Sequence, residues 1–340
     1  MTKMKIIVAV LNWGLGHASR SIPVVRALEE EGFEPVLASD GEALLLLRKE
    51  FPKLQWLELP SYQITYPRNG RYMKLHFLLN GPQMLKAIIE EHRMINKFLS
   101  ADAAVGGIIS DNRLGAFAKR VPSAYLTHQL KLLSGSSSSI TTRMHHFFID
   151  RFSECWVPDL DEPENFTGNM SDSSGLKKPV KYLGLLSRFK KREPEKKYDL
   201  LVLLSGPEPQ RNFLEEKLLK ELQSYEGEIL FIRGKVEGEP EFEEKGNFKI
   251  CNYLSGRELE TALNAAELVL ARSGYSSIMD LAVLGKKAFF IPTPGQFEQE
   301  YLAERLQGQN IAPFCAQELF SLKELEKTRS FSGFTAAPGN

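Results

Sequence analysis

The chain has 340 residues, 43% of them hydrophobic and 25% charged, with Lys+Arg and Asp+Glu balanced at 43 each. That length suits two domains with full hydrophobic cores at roughly 100–200 residues per domain, and a zero net charge gives no global field pointing to nucleic acid. The three cysteines, Cys155, Cys251 and Cys315, have no zinc or redox spacing and fit free thiols in a reducing cytoplasm.

Residues 4–11 (MKIIVAVL) are a continuous apolar run rich in β-branched side chains, which predicts a strand buried in a parallel sheet. The run is short, and Asn12, His17 and Arg20 follow it without a small-residue cleavage site, so it reads as a strand and not as a signal peptide. A helix is predicted at 19–31, with Ile22, Val25 and Leu28 on one face, Pro23 in its first turn and Gly32 ending it. Strand 34–38, helix 41–50, strand 54–58, a long helix 82–99, strand 104–110, helix 113–120 and strand 123–127 follow. Residues 129–179 read as less regular, with strand-like pieces at 154–157 and 180–183. Residues 187–197 (SRFKKREPEKK) carry the strongest linker signal.

A second βα series then begins: strand 199–204, helix 209–224, strands 228–232 and 247–250, helix 256–265, strand 267–271, helix 274–284, strand 287–291, helix 297–307 and a short strand 311–314. Residues 318–328 look helical. The predicted fold is α/β, with two Rossmann-like doubly wound domains. The first covers 1–186, the linker 187–197 and the second domain 198–328, with a frayed tail at 329–340. A ligand cleft is expected between the carboxyl edges of the two sheets. No stretch reaches the ~18 apolar residues of a membrane span.

Asn12-Trp13-Gly14-Leu15-Gly16-His17-Ala18-Ser19-Arg20 lies between the first strand and the first helix. Gly14 and Gly16 permit a tight turn and close approach by a ligand, and the helix N-terminus behind them favours negative charge. Ser19 stands where a full dinucleotide fingerprint has its third glycine. His17 is a candidate general base near pH 7; a helix-capping histidine is the competing reading. Asp111 ends the strand at 104–110 and reads equally as the carboxylate that fixes the His17 tautomer or as the N-cap of a helix at 113–120. Gly14, Gly16 and His128 are assigned to the acceptor side.

Three later loops carry the other candidates. Arg272-Ser273-Gly274-Tyr275 opens a helix, with amides placed for an anion nest. Asp280, almost two turns further, can accept bonds from ribose hydroxyls, although alone it fits better as part of a solvated helix face. Gln296, Glu298 and Gln299 offer donors and acceptors for sugar hydroxyls, or are the ordinary polar start of a helix. Ser205, the Gly206 amide and Arg211 can touch a diphosphate, but Pro207 and Pro209 make the loop a poor cradle. Asp159 and Asp161 have the spacing of a metal motif and lack a third ligand. His145 and His146 point apart on a helix, and the serine run 134–139 reads as a loop.

Together the GxGH turn, the Arg272-Ser273-Gly274 segment with Asp280, and the proline loop with Glu298-Gln299 resemble the GT-B glycosyltransferases. They are most similar to the branch that contains the lipid-intermediate N-acetylglucosaminyltransferase of peptidoglycan synthesis, and the resemblance covers both halves. It implies that the Arg272–Gly274 segment approaches a donor diphosphate, with Arg272 adding positive charge. It also implies that Asp280 binds the ribose, that Glu298-Gln299 contact the donor sugar, and that Asn252-Tyr253-Leu254 form a base-binding loop. The run from Gly14 to Arg20 also resembles UDP-sugar hydrolases of nonulosonic-acid pathways and uncharacterised proteins with a GxGHxxR start. Trp13 and the two prolines near Ser205 depart from the branch.

The resemblance implies inverting transfer of a hexose or N-acetylhexosamine from a nucleotide-diphosphate sugar, UDP-linked, to a sugar or lipid-linked acceptor hydroxyl. No metal and no further cofactor are expected. The alternatives are a UDP-sugar hydrolase and a non-catalytic nucleotide-sugar sensor; a 2-epimerase lacks a second cluster of acids. A cytoplasmic protein is expected, with a peripheral membrane contact as one reading of the segment from Tyr66 to Met94. That segment mixes Arg68, Arg71, Lys74, Lys86 and Arg93 with Tyr72, Met73, Phe77, Leu78 and Leu79. The plainer reading of the same segment is an amphipathic helix and a loop.

Overall fold

The N-terminal apolar run forms β1 (Lys5–Val10), with Ile7 and Ala9 packed into one core cluster and Val8 and Val10 into another. A strand apolar on both faces belongs in the middle of a sheet covered on both sides, and β1 lies there. A computed structural model describes residues 3–63, 73–133, 138–161, 163, 165–206, 208–235, 239–254 and 256–335, the side chains of 73–80 excepted. The chain divides into two units, Met1–Leu186 and Ser187–Gly339.

The first unit runs β1, α1 (Leu15–Glu30), β2 (Glu34–Ser39), α2 (Gly41–Glu50), β3 (Trp56–Glu58), α3 (Met73–Ala101), β4 (Val105–Asp111), β5 (Ser123–Leu126), α4 (Ser138–Ile149), β6 (Glu154–Val157) and β7 (Val180–Tyr182). Its seven strands are parallel in the order β3-β2-β1-β4-β5-β6-β7. The chain order reverses between β1 and β4, which register from Ile6 against Gly107 to Val10 against Asp111. Loops at the carboxyl ends of two such strands define the binding position of a doubly wound sheet.

The second unit runs β8 (Tyr198–Leu203), α5 (Gln210–Glu221), β9 (Ile229–Ile232), β10 (Phe242–Lys245), β11 (Phe248–Cys251), α6 (Gly256–Ala265), β12 (Ala266–Ala271), α7 (Tyr275–Leu284), β13 (Lys287–Phe290) and α8 (Phe297–Gly308). Its order is β10-β11-β9-β8-β12-β13; β10 and β11 pair antiparallel, and the other pairings among the described residues are parallel. Here the reversal falls between β8 and β12, so the loops after Leu203 and Ala271 flank it. Leu200, Val202, Leu214, Phe231, Phe289 and Phe320 share one hydrophobic core of this unit.

Several expectations need correction. Gly14 takes φ 73° and closes the turn at once, so α1 starts at Leu15, four residues early. Pro23 therefore sits in the helix interior, where it forfeits one i→i−4 bond, and Gly16 and His17 belong to the first turn. No helix forms at 113–120. Asn112 adopts φ 57°, and the Arg113 side chain turns inward to the carbonyls of Val10 (3.1 Å) and Pro60 (2.8 Å) and to Asp40. The irregular stretch 129–179 contains α4, and β10 was not foreseen. The strand at 311–314 is a single bridge from Phe314 to Phe290, and 3-10 turns at Gln317–Leu319 and Leu322–Ser330 replace the last helix.

Residues 187–197 pack on the second unit instead of standing apart. Phe189 is buried, and Arg192 holds Glu260 (2.8 Å) and, through its amide, Asn264 (2.8 Å). Phe334, in the tail read as frayed, is buried and its amide donates to Lys286 O; Ala336-Ala337-Pro338-Gly339-Asn340 lie outside the described residues, as do positions 134–137 of the serine run.

Candidate active site

In the first unit the side chains converge at the β1–β4 reversal. Early initiation of α1 puts His17 in its first turn and Arg20 one turn on, on the same face, because residues three apart are neighbours on a helix. Asp111 is the last residue of β4, directly across from Val10. His17 Nδ1 lies 2.8 Å from Asp111 Oδ1. Arg20 Nε donates to Asp111 Oδ2 at 2.7 Å and Nη2 donates to Oδ1, a forked pair. Ser21 Oγ adds a bond to Oδ2 at 3.2 Å. The third guanidinium nitrogen, Nη1, lies 2.9 Å from His128 Nδ1. The structure thus brings His17, Asp111 and His128 together, and the part played by Arg20 was missed; its position three residues after His17 was the available signal.

The electrostatics follow from burial and from one cation. Burial and then the Arg20 charge lower the pKa of His17, against the pull of Asp111, so the imidazole is neutral at pH 7. Burial alone would raise Asp111, yet Arg20 and His17 hold it well below the usual carboxylate range. A neutral imidazole on a permanently ionised carboxylate is the arrangement of a general base and its orienter.

A second buried network lies behind this one. Asn12 reaches Asp40 (3.3 Å) and takes the Ala43 amide (3.3 Å). Asp40 pairs with Arg113, whose Nη1 stands 3.7 Å from Glu91, and Tyr62 donates to Glu91. Asn12 of the first motif is thereby tied to α2 and, through Arg113, to the segment that follows Asp111.

In the second unit, Gly274 is the N-cap of α7, and no acid stands in the first turn, which keeps this end suited to an anion. Ser273 is buried, its hydroxyl donating to Gln299 O at 2.7 Å, and Tyr275 is buried as well. Arg272 departs from its expected role. Its Nη1 donates to the carbonyls of Ile291 (3.0 Å) and Pro292 (2.9 Å), and its Nη2 to Gln210 O (3.1 Å) and Gln317 Oε1 (2.7 Å). A guanidinium only 1% exposed, with both Nη nitrogens spent on four acceptors, shapes the loops around it.

Arg211 is similarly engaged. Nε holds Glu208 at 2.9 Å and Nη1 donates to Gly234 O at 2.6 Å, so its charge is locally neutralised, while Ser205 beside it is exposed. Gly234, at φ 69°, has no room for a side chain: a Cβ there would stand 2.3 Å from Leu204 O. Gln299 Oε1 takes the Thr293 amide at 2.8 Å and its Nε2 donates to Gln296 Oε1 at 2.6 Å, so this pair braces the proline loop. Glu298 lies in the first turn of α8, where the helix dipole favours an acid. Tyr253 is buried and Leu254 partly so, just past β11.

Asp280 is largely buried in α7 and accepts a bond from Ser187 Oγ; burial raises its pKa to about 6 against that bond and the Arg188 charge. Asp159 is a loop staple: its carboxylate takes the amides of Leu160, Phe166 and Thr167 and the Thr167 hydroxyl. His145 and His146 are buried, bonded to Tyr125 and to the Leu130 carbonyl. Of the basic-aromatic segment, Arg68, Arg71 and Tyr72 lie outside the described residues, and so do the side chains of Met73, Lys74, Phe77, Leu78 and Leu79; Lys86 and Arg93 are exposed on α3.

The glycosyltransferase family 28 C-terminal domain matches residues 210–329. Across nearly its whole length the chain is similar to bacterial enzymes named UDP-N-acetylglucosamine--N-acetylmuramyl-(pentapeptide) pyrophosphoryl-undecaprenol N-acetylglucosamine transferase. That of Coxiella burnetii (strain Dugway 5J108-111) is 24% identical, covering 94% of this chain and 86% of the relative. That of Glaesserella parasuis serovar 5 is also 24% identical, covering 96% and 89%. Among solved structures, Acinetobacter baumannii MurG superposes with a TM-score of 0.58 at 13% identity, covering 96% of this chain and 90% of that one. The glycosyltransferase SnogD from Streptomyces nogalater gives 0.61 at 14%, covering 96% and 90%. The fold of the two units and the domain matched on the second define the class: a glycosyltransferase of GT-B architecture.

Proposed function

We propose that the protein transfers a hexose or N-acetylhexosamine from a UDP-linked donor to an acceptor hydroxyl, with inversion and without a metal ion. The observation that carries the reading is His17 Nδ1 held 2.8 Å from Asp111 Oδ1, in surroundings that favour a neutral imidazole and an ionised carboxylate. His17 removes the acceptor proton as the hydroxyl attacks the anomeric carbon, and Asp111 stabilises the imidazolium that forms. The N-terminus of α7 favours the leaving diphosphate, Asp280 takes the ribose, and the loop from Tyr253 takes the base. Arg272 and Gln299 act by shaping the loops around the donor. A silent sensor has no use for a neutral histidine on a buried carboxylate.

The acceptor in this reading is lipid-linked and met at a membrane surface of the cell envelope. Support comes from the relatives' printed substrate and from α4, which exposes Ile140, Met144 and Phe147 on one face beside Arg143 and Arg151. The contact in this reading is peripheral; no helix among the described residues is long and apolar enough to cross a membrane.

The test is a donor screen. Purified protein is incubated with UDP-, GDP-, dTDP- and CMP-sugars, and nucleotide release is measured with and without undecaprenyl-type acceptors. UDP release that depends on acceptor is expected. Equal release with water alone identifies a hydrolase, and binding without release of any nucleotide overturns the catalytic reading.

A further inference from the structure

We infer that Arg20 is the positioning residue of this site: it holds the Asp111 carboxylate that keeps the His17 proton on Nδ1, fixes the His128 proton on Nε2 and helps keep His17 from taking a second proton. The inference rests on the reading of His17 as the base. A guanidinium only donates and an ionised carboxylate only accepts. With Arg20 Nη1 2.9 Å from His128 Nδ1, that nitrogen must present its lone pair, which leaves the His128 proton on Nε2. At His17 the logic reverses. Its Nδ1 stands 2.8 Å from Asp111 Oδ1 and 2.9 Å from Arg20 Nη2, which itself donates to that oxygen; with Oδ1 as the shared acceptor, an N–H on Nδ1 is satisfied, whereas a lone pair there would face an anionic oxygen. His17 therefore carries its proton on Nδ1 and its lone pair on Nε2, as a base requires.

After burial, Arg20 is the next influence that keeps a second proton off His17. Its Nη2 lies 2.9 Å from the same Nδ1 of His17. The charged and titratable groups facing His17 are Arg20 from its own helix, Asp111 from β4 and His128 after β5. Removing the guanidinium charge would leave His17 and Asp111 as a buried pair, in which a protonated imidazole is favoured. The protonated form of the base would then gain ground towards neutral pH. The forked grip on both Asp111 oxygens fixes the direction of the carboxylate as well, and Arg20 itself is 2% exposed, so no solvent competes for these bonds.

The test reads protons and not turnover, so it stands apart from the donor screen. Long-range ¹H–¹⁵N correlation spectra of labelled protein at pH 7.5, with His17→Gln and His128→Gln for assignment, should show the Nδ1–H form at His17 and the Nε2–H form at His128. In Arg20→Gln the titration midpoint of His17 should rise by about one pH unit or more, while in Arg20→Lys, which keeps the charge, it should stay near wild type. The opposite tautomer at either histidine in wild type overturns the inference, as does an unchanged His17 midpoint in a folded Arg20→Gln. If Arg20→Gln does not fold, the wild-type tautomers and the Arg20→Lys midpoint decide.

Discussion

The Ser187 hydroxyl donates a 2.5 Å hydrogen bond to Asp280 Oδ1, joining the first residue of the second unit to the middle of α7. That bond favours the ionised carboxyl, yet burial holds the pKa at about 6. An acid kept ionised at neutral pH against its surroundings is a stability cost carried by the fold.

Replacement of Asp280 should therefore separate stability from binding. The folded pKa of about 6 lies above the ordinary 3.8, so the ionised form destabilises the fold above pH 6 and the loss is recovered as pH falls from 6 to 4. Asp280→Asn should gain on the order of 1–3 kcal/mol at pH 7.5 and little at pH 4, measured by urea denaturation. Under the ribose assignment, Asp280→Ala should lose ~1.5–3 kcal/mol of UDP affinity, roughly 10–100-fold, by calorimetry. Unchanged affinity in a folded variant removes Asp280 from the donor site.

His17→Ala should lower turnover by ~10²–10⁴-fold with UDP affinity near wild type, since the donor contacts are assigned to the second unit. Its stability should fall by only about 1 kcal/mol, because the Arg20–Asp111 fork survives. Asp111→Asn should behave differently. It leaves Arg20 as a buried, uncompensated charge, and breaking such a pair costs ~3–5 kcal/mol. Denaturation of the two variants side by side checks this; equal stability would mean the fork contributes nothing.

Glu91 gives a pH signature away from the chemistry. Burial raises its pKa to about 7 against the pull of Arg113 and Tyr62, and Oε1 has no partner among the described residues. Because the folded pKa exceeds the ordinary 4.5, stability rises as pH falls from 7 towards 4.5. Glu91→Gln should be more stable than wild type by roughly 1–3 kcal/mol at pH 8, with the gap closing near pH 5. A gap that does not depend on pH would refute the assignment.

Turnover should persist in EDTA. Asp159, the acid with metal-like spacing, is committed to three amides and a hydroxyl. Activity lost in EDTA and restored by Mg²⁺ or Mn²⁺ would show that other acids hold an ion.

The fold was legible because both sheets are built from short apolar strands alternating with helical patterns, and the two glycine turns fall at the chain reversals. The place of Asp111 at the carboxyl edge was legible because it closes a strand, although the sequence read it equally as a partner of His17 and as a helix N-cap. What escaped depends on side chains that turn inward against the local pattern. Arg113 abolishes a helix that its neighbours would otherwise permit, and Arg20 looks in sequence like a polar residue on a helix face. Arg272 was read as a ligand contact because the motif shows its charge and conceals the four acceptors waiting for it.

Those four acceptors give Arg272 a further consequence. They come from the turn after β13, from the start of α5 and from the 3-10 turn at Gln317. One buried cation is thus a shared hub for three segments far apart in sequence, and none can change length or course without unsettling the others. The surface these three segments present therefore tolerates exchange of single side chains on a fixed frame far better than insertion of residues into any one loop.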